Sequence, residues 1–377
     1  MNWVDYFGGA AMAGVTCMIG EDAREKDPEL EIRDGKITSF PMLQKIYDSF
    51  HKYYRGSGQM VLQCNVDDHL TGVPEIALKK YGFEALEFKF GQGAKGTQPV
   101  NRIKNYDEAV KKVEYGHLVH PNPFDPKVME LKKKGCCPNF YTYGRLPMWT
   151  EETMAKRIAE LRALGMKNVY FKMAGYDLVD VERVIRMAIE NRVDMVTFDG
   201  AGGGSGYSPS KMMDEWSLPT ILLEKGVVDI CDKLERLDKT LPAMVMTGGF
   251  ISEDQVFKAL AYGDGFINAV GVCRGAMAAA MTGKTIGDAI KAGRTPEFFQ
   301  KFGSTIDEVF RDLADLKGIY GKEAENFSTG AIGVFSYLNK LASGLKHFAA
   351  LNRKFDLEYL DRSDLIPLTY YANDLLG

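Results

Sequence analysis

Between residues 60 and 280 the chain repeats one pattern: a short apolar run ending in glycine or a polar residue, then a stretch with helical periodicity. The apolar runs are 60–65, 85–90, 168–173, 194–198, 243–246 and 265–270. The amphipathic stretches are 73–81, 151–164, 179–191, 217–239, 253–262 and 274–280. In 151–164, Thr150 stands where an N-cap belongs, and Met154, Ile158 and Leu161 fall on one side. Strands alternating with helices predict an α/β fold, a parallel sheet with helices outside. At least six such strands within about 210 residues favour a closed (β/α)8 TIM barrel over an open sheet. Residues 1–295 are therefore expected to form the barrel. Residues 91–150 break the rhythm with Gly, Pro, Lys and aromatic residues and at most one or two short strands, which predicts an elaborated loop region above the barrel. From about residue 296 the pattern turns helical, so 296–377 is expected to be a helical C-terminal extension.

Composition removes several other classes. The 377 residues are 45% hydrophobic and 26% charged, which excludes disorder, collagen and a disulfide-stapled miniature. A net charge of -4 without a Lys/Arg cluster argues against a nucleic-acid partner. No run of 18 apolar residues occurs, so a membrane span is not expected. Asp5 and the lack of a basic start disfavour a signal peptide. Six scattered cysteines (17, 64, 136, 137, 231 and 273) with no C-x-x-C point to a reducing cytoplasm and to small buried or loop thiols. Five histidines without ligand spacing give no metal site.

In such a barrel the reactive residues lie at the C-terminal strand ends. Lys172 sits inside the apolar run Val169-Tyr170-Phe171-Lys172-Met173, and Lys89 is placed the same way in residues 85–90. A cation on a barrel strand is costly unless an anion meets it. The alternative is a lysine whose stem snorkels outward. The run 194–198 leads into Asp199-Gly200-Ala201-Gly202-Gly203-Gly204-Ser205-Gly206, whose glycines permit close backbone approach and offer N–H donors to an anion. Its spacing is neither a dinucleotide fingerprint nor a P-loop, and a flexible turn is the bland alternative. The last two strands end in Thr247-Gly248-Gly249 and in Gly271-Val272-Cys273-Arg274, each just before a helix. That is the usual phosphate position of a barrel, with the helix N-terminus helping to hold the dianion. Arg274 either adds charge there or lies on the surface.

These motifs, in this order, resemble the flavin domain of the glutamate synthase family. The loop from Asp199 to Gly206, followed by Pro209, Asp214 and Leu218-Pro219-Thr220, is similar to its glycine-rich signature. Glu87-Phe88-Lys89-Phe90-Gly91-Gln92-Gly93-Ala94-Lys95-Gly96 is similar to its E-I-K-x-G-Q-G-A-K-P-G segment, with Gly96 where proline is usual. Tyr170-Phe171-Lys172-Met173 and Thr247-Gly248-Gly249 also fit, and the resemblance covers most of residues 8–300. It implies a TIM barrel of the FMN-dependent type. A fixed cation beside flavin N1 stabilises the negative charge of the reduced ring, and Lys172 is the candidate. Lys89 and Lys95, with Gln92, would hold the pyrimidine edge or an anionic substrate. Gln63 would hydrogen-bond the flavin, and Asp199 would orient the glycine loop or face the substrate. Gly202, Gly203, Gly204, Gly248, Gly249, Gly271 and Arg274 complete the expected cofactor set.

The departures narrow this expectation. No glutaminase domain is present, and Cys273 is a single thiol where an iron–sulfur motif needs three. Gly20-Glu21-Asp22-Ala23 replaces the usual G-E-G-G, and the first barrel strand of the family has no evident counterpart: it is built differently, a partner chain supplies it, or this is an N-terminally shortened form. Three functions fit. The first is an FMN-dependent oxidoreductase of small amino or 2-oxo acids or imines, served by a separate electron donor. The second is a non-catalytic FMN-barrel scaffold or regulatory subunit. The third is an aldolase-type barrel in which Lys172 forms a Schiff base.

Overall fold

The computed structural model of the chain describes residues 2–90, 101–103, 105–114, 117–143, 149–175, 177–203, 215 and 217–376. Its strands are β1 (Cys17–Ile19), β2 (Glu31–Arg33), β3 (Lys36–Ser39), β4 (Met60–Cys64), β5 (Ala85–Lys89), β6 (Asn101–Ile103), β7 (Leu118–His120), β8 (Phe140–Tyr143), β9 (Asn168–Ala174), β10 (Met195–Asp199), β11 (Ala243–Thr247) and β12 (Ile267–Gly271). Seven of them form one parallel sheet in the order β1-β4-β5-β9-β10-β11-β12. Helices connect successive members, as parallel pairing requires. Helix Glu151–Ala163 begins at Thr150, whose side chain accepts from the Thr153 N–H in a capping box, and it buries Met154, Ile158 and Leu161. Helix Glu253–Tyr262 starts at a second capping box made by Ser252 and Gln255. Phe88, Phe171 and Phe198 on the sheet are fully buried at the centre of the main core.

The α/β barrel architecture therefore stands, with one difference. Among the described residues the sheet has seven strands rather than eight, and no ladder joins β1 to β12. The apolar stretch at the start of the sequence makes helix Trp3–Met12 and the three-residue β1. The two sheet edges still approach each other, because the Tyr6 side chain faces both Cys273, just past β12, and Cys17 at the start of β1. Outside this seam lies helix Thr329–Leu351, packed on both Trp3–Met12 and Arg274–Lys291. Glycines let these helices meet backbone to backbone. A Cβ on Gly9 would stand 2.5 Å from the Ala331 carbonyl oxygen, and one on Gly283 would stand 2.4 Å from that of Thr329. The C-terminal region is thus part of the outer helical layer.

Residues 91–150 are more than a loop. Their described part holds an antiparallel sheet ordered β6-β8-β7, helices Tyr106–Glu114 and Pro126–Lys133, and a small core of Ile103, Ala109, Val119, Val128 and Phe140. Its contact with the barrel includes the His117 ring, 3.7 Å from the buried Asp67 carboxylate. No helix among the described residues is long and apolar enough to cross a membrane.

Candidate active site

Register brings the polar strand residues together. Across the parallel ladders Gln63 lies opposite Glu87, Lys89 opposite Lys172, and Lys172 opposite Thr197. Asp199 lies opposite Thr247, and Thr247 opposite Gly271. Residues two apart on a strand share a face, so Glu87 and Lys89 point the same way, as do Thr197 and Asp199. Apolar residues between them, such as Phe88 and Phe198, point into the outer core.

The side chains interlock. Lys172 Nζ is 3.3 Å from Asp199 Oδ1, with Asp199 2% and Lys172 17% exposed. Asp199 also accepts a hydrogen bond from the Thr247 hydroxyl. Lys89 Nζ donates to Gln63 Oε1 at 3.1 Å. Gln63 Nε2 donates to Glu87 Oε2 at 2.5 Å, and the Thr197 hydroxyl donates to Glu87 Oε1 at 3.5 Å. Two ammonium and two carboxylate groups from three strands thus share one interior. Burial by itself would lower the Lys172 amine, but Asp199 and Glu87 outweigh it and hold the amine above the ordinary lysine value. Burial opposes ionisation of Asp199 as well, yet Lys172 and Thr247 keep that carboxyl below its usual range. For Glu87 burial wins over Lys172 and Lys89, and the carboxyl is raised.

The glycines divide into two kinds. Gly248 and Gly271 lack a side chain because protein already fills the space. A Cβ on Gly248 would lie 2.6 Å from Thr220 Oγ1, and one on Gly271 2.6 Å from Thr247 Cγ2. Thr220 fastens this packing by donating to the Gly248 carbonyl at 2.7 Å. Gly202 and Gly249 have φ of +82° and +93°, and among the described residues nothing lies within 4 Å of where a Cβ would stand. Gly203 sits between, against Asp199. Arg274, the first residue of helix Arg274–Lys291, reaches across to the Gly202 carbonyl at 2.9 Å. That helix has no side-chain cap, so an anion is a suitable partner for its first N–H groups.

The structure therefore gathers Gln63, Lys89, Lys172 and Asp199 at one place, and Gly202, Gly203, Gly249 and Arg274 at the adjoining rim. Gln92, Lys95 and Gly204 lie outside the described residues. Sequence reasoning gave no role to Glu87, Thr197, Thr220 or Thr247. Glu87 had a signal of the kind that singled out Lys89, a charge inside the run Ala85-Leu86-Glu87-Phe88-Lys89. Trp149 packs on His69 and Phe88, on the outer side of the sheet.

Comparison with known proteins agrees with the motifs. Residues 145–283 match the family model described as the conserved region in glutamate synthase. The matched segment contains Lys172, Asp199, Gly249 and Arg274. No curated protein sequence matches. Among solved structures, mandelate oxidase with (S)-2-phenylpropionate is 14% identical with a TM-score of 0.47, covering 96% of this chain and 72% of that one. A mandelate oxidase variant with a monooxide FMN adduct has a TM-score of 0.46 at 14% identity, with the same two coverages. A flavocytochrome b2 variant with sulfite bound is 13% identical with a TM-score of 0.47, covering 97% of this chain and 69% of that one.

Proposed function

We propose that this chain is an FMN-dependent oxidoreductase acting on a small amino acid, 2-oxo acid or imine, with electrons supplied by a separate donor. The observation that carries this reading is the buried Lys172–Asp199 pair directly beside an open glycine rim. The residues fit the cofactor at both ends. Gly202, Gly249, Arg274 and the uncapped N-terminus of helix Arg274–Lys291 suit a phosphate dianion. Lys172, held protonated by its neighbours, suits the electron-rich edge of the ring. When bound, the flavin would supply hydride exchange at N5. The chain's own residues would fix its orientation, exclude water from the ring and keep a positive charge at one edge. Lys89 and Gln63 stand ready to bind a second polar group, the pyrimidine edge or a substrate carboxylate.

A Schiff-base lysine needs a depressed amine, whereas Asp199, 3.3 Å from Lys172 Nζ, favours the ammonium, which speaks against an aldolase. Among the described residues no ladder joins β1 to β12, which motivates a second reading, a flavin-binding barrel that does not turn over and serves as a scaffold or regulatory subunit. Purified protein is expected to be yellow and to release FMN on denaturation. Bleaching by dithionite and reoxidation by an amino, 2-oxo or imino substrate would support the enzyme. FMN that no substrate of these classes reoxidises would favour the scaffold, and protein that takes up no FMN would sink both. Lys172→Met is expected to weaken FMN binding at least tenfold, and unchanged binding would remove Lys172 from the site.

A further inference from the structure

Glu87 is the charged group in this interior to which the proposed reading gives no task. It is wholly buried. Its Oε2 accepts from the neutral Gln63 amide and its Oε1 from the Thr197 hydroxyl. Asp199, by contrast, has an ammonium 3.3 Å away. The other titratable groups that act on Glu87 are Lys172 and Lys89, which favour its ionised form, and Asp199, which disfavours it; Tyr170 also faces it. The Tyr170 phenol is raised by burial and so stays neutral. With both carboxylates ionised, two ammonium groups and two carboxylates sum to zero. Any anion arriving at the lysine face leaves the interior one negative charge in excess. The carboxylate that an ammonium holds less directly is the one that takes up a proton.

We propose that Glu87 is the proton acceptor that balances charge when a flavin bound against Lys89 and Lys172 is reduced. Two electrons from an external reductant, with one proton, enter the ring and leave it anionic. A second proton, from solvent, goes to the Glu87 carboxylate, which becomes a neutral carboxylic acid. Glu87 acts on the ring through charge and through Gln63 and Lys89, so it is a positioning residue. This inference rests on the flavin reading of the site.

The test uses the full-length chain loaded with FMN, as wild type, Glu87→Gln and Thr197→Val. FMN released on denaturation is counted first. The midpoint potential is then followed against pH with dithionite as reductant, and the slope gives protons taken up per two electrons. Wild type and Thr197→Val are expected to take up about two and Glu87→Gln about one, each with the absorption spectrum of an anionic reduced ring. Redox-difference infrared spectra of wild type should gain a protonated-carboxyl C=O band that shifts when glutamate is ¹³C-labelled. Equal proton counts in wild type and Glu87→Gln, or a neutral reduced ring in wild type, would overturn the proposal with FMN still bound. If no FMN is found in any form, the flavin reading itself falls and takes this inference with it. Should Glu87→Gln fail to fold, the wild-type infrared spectrum decides, and lack of a glutamate carboxyl band refutes the proposal.

Discussion

Glu224 shows how one side chain can set a pH limit on the whole chain. It lies on helix Thr220–Glu235, is 2% exposed, and its Oε1 has no hydrogen-bond partner among the described residues. Burial lifts its carboxyl to about 8 against the pull of Arg362. A carboxyl raised in the folded state binds its proton more tightly there than in the unfolded chain, where it titrates near about 4.3. Its contribution is therefore complete below that lower value and is lost as pH rises through the folded one. Glu224→Gln is expected to flatten the decline and to recover on the order of 5 kcal/mol at about pH 9, read from urea unfolding at several pH values. Parallel pH profiles in the two proteins would contradict this. The same scale shows what single residues reveal in advance. Lys89 and Lys172 are conspicuous as charges in apolar runs, and both lie in the candidate site. Glu224 sits in an amphipathic stretch that is mostly solvated at such positions, so nothing in its neighbours marks it as buried.

At the scale of elements, the helices with a full period and a cap are legible and the short strands are not. Helix Glu253–Tyr262 has the expected bounds, and Glu151–Ala163 ends one residue short of its own. β1, β6 and β7 have three residues each, too few for an alternation to declare itself. That is why 91–150 looks like a loop in sequence while its described part is a small folded layer in space. Contacts between helices carry a sharper prediction. Gly9→Val would drive a side chain into Ala331 and Val334, and overpacking of this kind costs about 1–3 kcal/mol in urea unfolding. Gly318→Ala, inside helix Leu313–Tyr320 with open space around it, is expected to stabilise by about 0.5–1 kcal/mol. Equal effects from the two would mean that the helix Trp3–Met12 does not pack as described.

For the molecule as a whole, a bound cofactor adds stability by mass action. FMN at one hundred times its dissociation constant should add about 2.7 kcal/mol, read as a rise in melting temperature. Riboflavin, which lacks the phosphate, should add less. Gly249→Ala tests the rim specifically, because φ of +93° strains any side chain although the space beside it is open. It should lower the FMN shift more than the riboflavin shift. Equal losses would place the phosphate elsewhere.

The order of strands and helices, the glycine-rich turns and the lysines on barrel strands are all written along the chain, because each depends on neighbours within a few residues. The company those lysines keep is not. Gln63 and Glu87 are 24 positions apart, and Glu87 and Thr197 are 110 apart, yet their side chains touch. Whether a buried ammonium meets a carboxylate, a neutral amide or nothing follows from register across parallel strands, since charge compensation acts over a few ångströms of space rather than along the backbone. Tertiary structure alone decided that Lys172 pairs with Asp199 and that Glu87 is left the more readily protonated acid. It also decided that seven strands, with a helix laid outside their seam, make the sheet among the described residues.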